Sequence, residues 1–156
     1  GLAWKAEQLW IGCRAPNLDG AAAIFSISAE AIFTQPVESW PKAKFHKVPL
    51  GRGIGVRDLA PLTDGFLILA GQSGSEASSE FPIPLNYDGD KAFTLFHWNP
   101  ETPNGLQRIG NLPVLKGKAE SMMVLDESDT TISIMVLYDG AYNGAPRAFT
   151  LTKPRM

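Results

Sequence analysis

Cysteine is nearly missing from this sequence: Cys13 is the only one among 156 residues. A single thiol excludes an internal disulfide and any cysteine-rich zinc site, and on an apolar stretch it is expected to be a buried, inert group. Histidine is almost as scarce. His46 and His97 are the only two, and neither has neighbours in sequence at the spacing of a zinc site. His46, set between Lys44 and Lys47, is expected at the surface. His97 is expected to be a partly exposed or hydrogen-bonded strand residue. Positive charge is not in excess either: 14 Lys and Arg against 16 Asp and Glu leave a net charge of −2. The basic footprint of a nucleic-acid binder is therefore lacking. Long hydrophobic runs are also missing. Ala21–Phe25 and Phe66–Ala70 fall far short of the ~18–20 residues that cross a bilayer, so no membrane partner is expected. No segment carries a convincing helical pattern; Ala21–Phe33 comes closest in composition but lacks a polar face.

What is present points to a soluble, turn-rich β domain. Apolar residues make up 44% of the chain and charged residues 19%, a globular balance. Glycine (15) and proline (12) are abundant, against about 11 and about 8 in an average chain of this length. Short apolar runs alternate with turn signals. Leu9–Cys13 and Ala22–Ile27 flank Asp19-Gly20, and Val56–Leu62 and Phe66–Ala70 flank Thr63-Asp64-Gly65; both are hairpin signatures. Ala92–Trp98, Met122–Leu125, Thr131–Tyr138 and Arg147–Thr152 complete the strands, with one more near Phe45–Val48. Gln72–Asp90, rich in Ser, Gly, Glu and Pro, reads as a long exposed loop.

The sequence also repeats itself. Ala92-Phe93-Thr94-Leu95 returns 56 residues later as Ala148-Phe149-Thr150-Leu151. Ahead of each copy stands the same order of acid, apolar strand, turn and apolar strand: Arg57-Asp58-Leu59-Ala60 in one unit, Ala119-Glu120-Ser121-Met122 in the next. A looser unit begins at Gly1, and the anchors Leu2, Leu59 and Met122 lie 57 and 63 residues apart. Repeats of this size built from short strands suit propeller blades, because a small twisted sheet needs neighbours on both faces. The expectation is a single β-repeat domain over residues 1–156, in approximate units 1–50, 51–112 and 113–156. The fold class is all-β, with antiparallel meanders in a β-propeller-like arrangement of about three blades, partial or completed by a partner. Three blades are fewer than the about 4–8 of closed rings. A homo-oligomer or a propeller portion N-terminal to this chain are therefore the expected partners. The opening Gly1-Leu2-Ala3-Trp4 shows no initiator Met, no basic n-region and no long apolar h-region, so any signal peptide would lie outside this chain, whereas Thr152–Met156 reads as a terminus; the compartment is left open.

In such an arrangement the first strand of each blade lines the centre, so Arg57, Asp58 and Glu120 would converge there, with Arg14 and Asp139 near the ends of following strands. This set can bind an anion, hold a divalent metal such as calcium, or tie blades together as ion pairs. No organic cofactor is indicated. Gly51-Arg52-Gly53-Ile54-Gly55 is not a dinucleotide fingerprint, because Val56 stands at its sixth position and strand residues follow. No Gly-x-Ser-x-Gly elbow is present. The acidic turns Asp126–Asp129 and Asp88-Gly89-Asp90 are expected to be solvated, and Trp4, Trp10, Trp40 and Trp98 to anchor packing.

Gly51–Leu62 together with Phe66–Gly71 resembles an uncharacterised bacterial family, a domain of unknown function, in which a Gly-Arg-Gly-Ile-Arg-Asp-Leu stretch precedes a Leu-Ile-Leu-Ala-Gly strand. Here Gly55-Val56 is inserted. Gly1-Leu2-Ala3, Ile11–Pro16, Lys118–Met122 and Leu137-Tyr138-Asp139 are similar to further stretches of that family. The resemblance implies the C-terminal part of a propeller-like protein distantly similar to esterase-like phytases. Two readings follow. One is a non-catalytic binding or scaffold module. The other is a metal-assisted phosphoester or ester hydrolase, with Arg14 and Arg57 on phosphate and Asp58, Glu120 and Asp139 on metal.

Overall fold

A computed structural model describes residues 1–73, 93–113, 115 and 117–154. The loop expected over Gln72–Asp90 lies outside these residues apart from Gln72 and Ser73, as do Ala92 and the Asp88–Asp90 turn. The described residues are all-β but for one short helix and two single 3-10 turns. Three antiparallel meanders follow one another. The first sheet pairs β1 (Leu2–Lys5), β2 (Gln8–Gly12), β3 (Ala22–Ser28) and β4 (Lys44–Val48) in sequence order. The second pairs β5 (Ile54–Leu62), β6 (Gly65–Gln72), β7 (Thr94–Trp98) and β8 (Leu106–Asn111). The third pairs β9 (Lys118–Glu127), β10 (Thr131–Asp139) and β11 (Arg147–Thr152).

Turn chemistry sets the meanders. Asp19 and Gly20 both have positive φ (53° and 90°) inside a Leu18–Ala21 bridge, the geometry that turns a chain tightly and that Gly enters without a Cβ clash. Thr63-Asp64 joins β5 to β6, with Leu62 facing Gly65. One expectation is corrected: a helix, α1 (Ala29–Thr34), does form. The Ser28 hydroxyl caps it by accepting from the Ala31 amide, a local signal that the apolar run over Ala21–Phe33 obscured. β1 and β8 are also additional to the strands expected.

The second sheet lies between the other two and is covered on both faces. That is why Phe66, Leu67, Ile68, Leu69 and Ala70 are all fully buried and read as an unbroken apolar run rather than an alternation. One core holds Ala3, Trp10, Ile24 and Val48 of the first sheet against Val56, Phe66, Ile68 and Trp98 of the second. The other holds Leu67, Leu69 and Leu95 against Ile132, Ile134 and Val136 of the third. Burying each such side chain stabilises the fold by about 1.5–3 kcal/mol.

The first strands of the sheets run side by side in the same direction. Gly1 abuts Asp58 and Leu59, and Lys5 Nζ donates to the Leu62 and Thr63 carbonyls. Farther round, Arg57 meets Glu120 and the Thr63 amide donates to Glu127 Oε2 at 2.8 Å. Strands β1, β5 and β9 are therefore parallel neighbours, with β5 in the middle. The result is three antiparallel sheets, of 4, 4 and 3 strands, with the second between the other two.

Candidate functional site

Strand β5 breaks its alternation at Val56-Arg57-Asp58-Leu59, where two charged residues sit between apolar ones. The pairing with β6 slips at this point: Val56 faces Ala70, Asp58 faces Leu69, and Arg57 has no partner. A bulge of this kind re-aims side chains. Here it lets both Arg57 and Asp58 reach the neighbouring strand β9.

Arg57 is almost wholly buried, with its side chain 3% exposed. Its Nη1 donates to Glu120 Oε1, and its Nη2 donates to the Gln72 carbonyl at 2.8 Å. The guanidinium lies 5.7 Å from the centre of the Phe93 ring. Asp58 has both oxygens engaged: Oδ1 accepts from the Leu59 amide at 2.9 Å, and Oδ2 accepts from the Met122 amide at 2.8 Å. Strand β9 is the edge of its sheet, and an edge presents amides that need partners. Asp58 supplies one such partner across the boundary between sheets. A groove of 470 Å³ runs past this point, lined by Leu2, Asp58, Pro61 and Met123 among others.

Arg57, Asp58 and Glu120 are thus brought together, and the other two expected members are not. Arg14, just beyond β2, joins β5 through its backbone: the position that a Cβ on Gly55 would take is filled by the Arg14 carbonyl, and the Val56 amide donates to the Cys13 carbonyl at 3.1 Å. Its Nε and Nη2 are buried without a partner among the described residues. Asp139 ends β10, exposed, opposite Lys118, on the side of β9 away from β5.

A second polar cluster, at the far end of the same strands, escaped the sequence reading. Lys153, after β11, places Nζ 3.1 Å from Asp64 Oδ1 and 2.6 Å from Glu127 Oε1. Glu127 Oε2 accepts from both the amide and the hydroxyl of Thr63. His97 is fully buried, with Nε2 3.3 Å from Asp64 Oδ1. Burial, the largest single influence, pushes the Asp64 and Glu127 carboxyls up, but the Lys153 hydrogen bond and charge together with the bonds from His97 to Asp64 and from Thr63 to Glu127 outweigh it, and each is held below its ordinary value. Burial pulls the Lys153 ammonium down, and its two carboxylate partners reverse the sign and raise it. The acid in the Thr63-Asp64-Gly65 turn was the available signal.

The remaining candidates are packing groups or surface. His46 is not at the surface as expected. It is half-buried, tilted against the Trp10 ring (5.1 Å) and edge-on to the Trp98 ring (5.5 Å), and it meets Ser26 Oγ at 3.2 Å. Burial, then the Lys44 charge, lowers its pKa. Trp10 and Trp98 are core residues, but Trp4 and Trp40 are exposed. Cys13 is half-buried rather than buried. Among the described residues no group of three His, Cys, Asp or Glu is placed to hold a metal ion, and no helix is long and apolar enough to cross a membrane.

Fold and site together define an all-β chain of three antiparallel sheets whose central charged residues bond one sheet to the next. Residues 1–148 match the model of the family described as protein of unknown function DUF3616, and the chain belongs to that family. No curated protein and no solved structure matches it.

Proposed function

We propose that this chain is a non-catalytic, propeller-like binding module. In it, Arg57, Asp58 and Glu120 are struts between sheets, and Arg14 is the contact offered to an anionic ligand. The observation that carries this reading is the engagement of the carboxylates. Both Asp58 oxygens bond backbone amides, one of them in the next sheet, and Glu120 bonds a buried guanidinium. A hydrolase of the esterase-like phytase type would need these groups turned toward metal and water, and Asp139, its third carboxylate, stands apart. The buried nitrogens of Arg14 are the complement: an unpaired buried donor costs about 1–3 kcal/mol, which a bound carboxylate or phosphate oxygen offsets.

The test is thermal unfolding with inorganic phosphate, run beside hydrolysis of p-nitrophenyl phosphate and p-nitrophenyl acetate with and without calcium. Phosphate is expected to raise the melting temperature of the parent chain and to leave Arg14→Gln unmoved, with no hydrolysis dependent on Asp58. Calcium-dependent hydrolysis lost in a folded Asp58→Asn variant overturns the reading in favour of the hydrolase.

A further inference from the structure

Two arginines keep buried nitrogens that have no hydrogen-bond partner among the described residues: Nε and Nη2 of Arg14, and Nε of Arg57. Buried donors are seldom left unpaired, because each has given up water for nothing. The free nitrogens of Arg14 are not an arbitrary pair. Nε–H and Nη2–H lie side by side on one edge of the guanidinium plane, and that edge matches two oxygens of a single carboxylate or phosphate group.

Both arginines are built around one pair of glycines. Gly55 of β5 and Gly71 of β6 face each other directly, so Cβ atoms there would stand about 4.5–5.5 Å apart on one face. The chain uses the two vacant places differently. The Arg14 carbonyl, with its Cα at 2.9 Å, fills the place of a Gly55 Cβ, whereas Arg57 Cγ at 3.2 Å and the Phe93 ring at 2.8 Å crowd that of a Gly71 Cβ. Arg14 Cα and Arg57 Cγ therefore lie within about 12 Å of one another.

A second device fixes Arg57 in this spot. Its bulge between Val56 and Asp58 is matched in the third sheet, where Ala119 faces Tyr138, Ser121 faces Leu137, and Glu120 is left over. The two extra residues bond each other. With Nη1 on Glu120 and Nη2 on the Gln72 carbonyl, Arg57 cannot turn to find a partner for Nε. Arg14 is half-exposed, so its side chain is approached from solvent. The place lies where all three sheets already meet: Arg14 follows the first, Arg57 and the glycines belong to the second, and Glu120 to the third.

We infer that Arg14 and Arg57 form one oxyanion site. The Nε–Nη2 edge of Arg14 takes two oxygens of a carboxylate or phosphate group, and Nε of Arg57 donates to the same group. The inference rests on the anionic-ligand reading above and adds to it a second arginine and capture through two oxygens. Arg57 is then a strut through its two Nη atoms and a ligand contact through Nε. Gly71 sets its position, since any side chain there displaces the Arg57 stem and the Phe93 ring.

The test is isothermal titration calorimetry with sodium acetate and with sodium phosphate near neutral pH, with far-UV circular dichroism as the control for folding. One anion is expected to bind per chain. Acetate alone or phosphate alone names the group that is held, and where both bind they compete. Arg14→Gln and the double variant Arg57→Met/Glu120→Leu, which leaves no charge buried, are each expected to weaken binding about tenfold or more, the worth of a charge-assisted hydrogen bond. If the double variant does not fold, Gly71→Ala is read in its place, with the same loss expected. Loss of binding in Arg14→Gln with parent affinity in the folded Arg57 or Gly71 variant overturns the inference and leaves a single-arginine site standing. Two anions that bind without competing overturn it too. A parent chain that binds neither anion overturns both this inference and the reading on which it rests.

Discussion

Replacing Glu120 by Leu should cost more than replacing Glu120 and Arg57 together. In the single variant the Arg57 guanidinium, 3% exposed, keeps its charge and loses its carboxylate. Breaking a buried pair from one side costs about 3–5 kcal/mol. Glu120 is one-third exposed, and Arg57 keeps the Gln72 carbonyl and the Phe93 ring, so the expected loss is about 2 kcal/mol, a screened fraction of that range. Glu120→Gln retains an acceptor oxygen and should lose about half as much. In the double variant Arg57→Met/Glu120→Leu no charge is left buried, and an apolar pair fills the space at little further cost. The coupling across the cycle should therefore be about 1–2 kcal/mol. For a chain of this size 2 kcal/mol moves the melting temperature by roughly 4–8 °C. Urea unfolding followed by tryptophan fluorescence measures all four corners. A coupling below about 0.5 kcal/mol, the scatter of independent sites, refutes the strut and returns Glu120 to the ligand-binding candidates.

Asp58→Asn should cost roughly 1–2 kcal/mol in the same assay, because an amide can accept from only one of the two backbone amides that Asp58 serves; a variant as stable as the parent would show that the carboxylate is not structural. Lys153→Met should cost about 1–2 kcal/mol near neutral pH by removing two charge-assisted hydrogen bonds. The carboxyls of Asp64 and Glu127 are depressed in the folded state, so their contribution is complete above their ordinary range of about 4 and is lost as pH falls below it. The raised Lys153 ammonium contributes below its ordinary value and is lost only as pH rises past its folded one. The gap between parent and Lys153→Met should accordingly close in acid, and a gap of equal size at pH 7 and pH 3, read by urea unfolding, would contradict the cluster. Gly55→Ala should destabilise by about 2–3 kcal/mol, since its methyl group meets the Arg14 carbonyl; a neutral change by thermal melt would mean that the first and second sheets do not approach there as described.

Much of the fold was legible in local pattern. The hairpins at Asp19-Gly20 and Thr63–Gly65, the strands over Thr131–Tyr138 and Arg147–Thr152 and the all-β class follow from alternation and turn residues, which act within a few positions of themselves. β8 was not legible: Leu106-Gln107-Arg108-Ile109 has two polar residues in succession, and its pairing with β7 slips between Leu95 and Phe96. The bulge at Arg57 is visible in sequence only as a lapse in alternation. The meeting of Arg57 with Glu120 was legible only through the repeat, which put both ahead of apolar strands in successive units. The meeting of Asp64 with His97 and Lys153 joins residues tens of positions apart, which no local signal encodes.

The sequence by itself determined most of the strands, where they turn, and that acids precede apolar strands at repeated positions, because backbone conformation and alternation are properties of neighbouring residues. The tertiary structure decided which faces are covered. Leu2-Ile11-Phe25 and Leu59-Ile68-Phe96 are the same three residue types in the same register, yet one row is surface and the other core. Burial depends on the sheet that lies opposite, and a strand does not carry that information in its own residues.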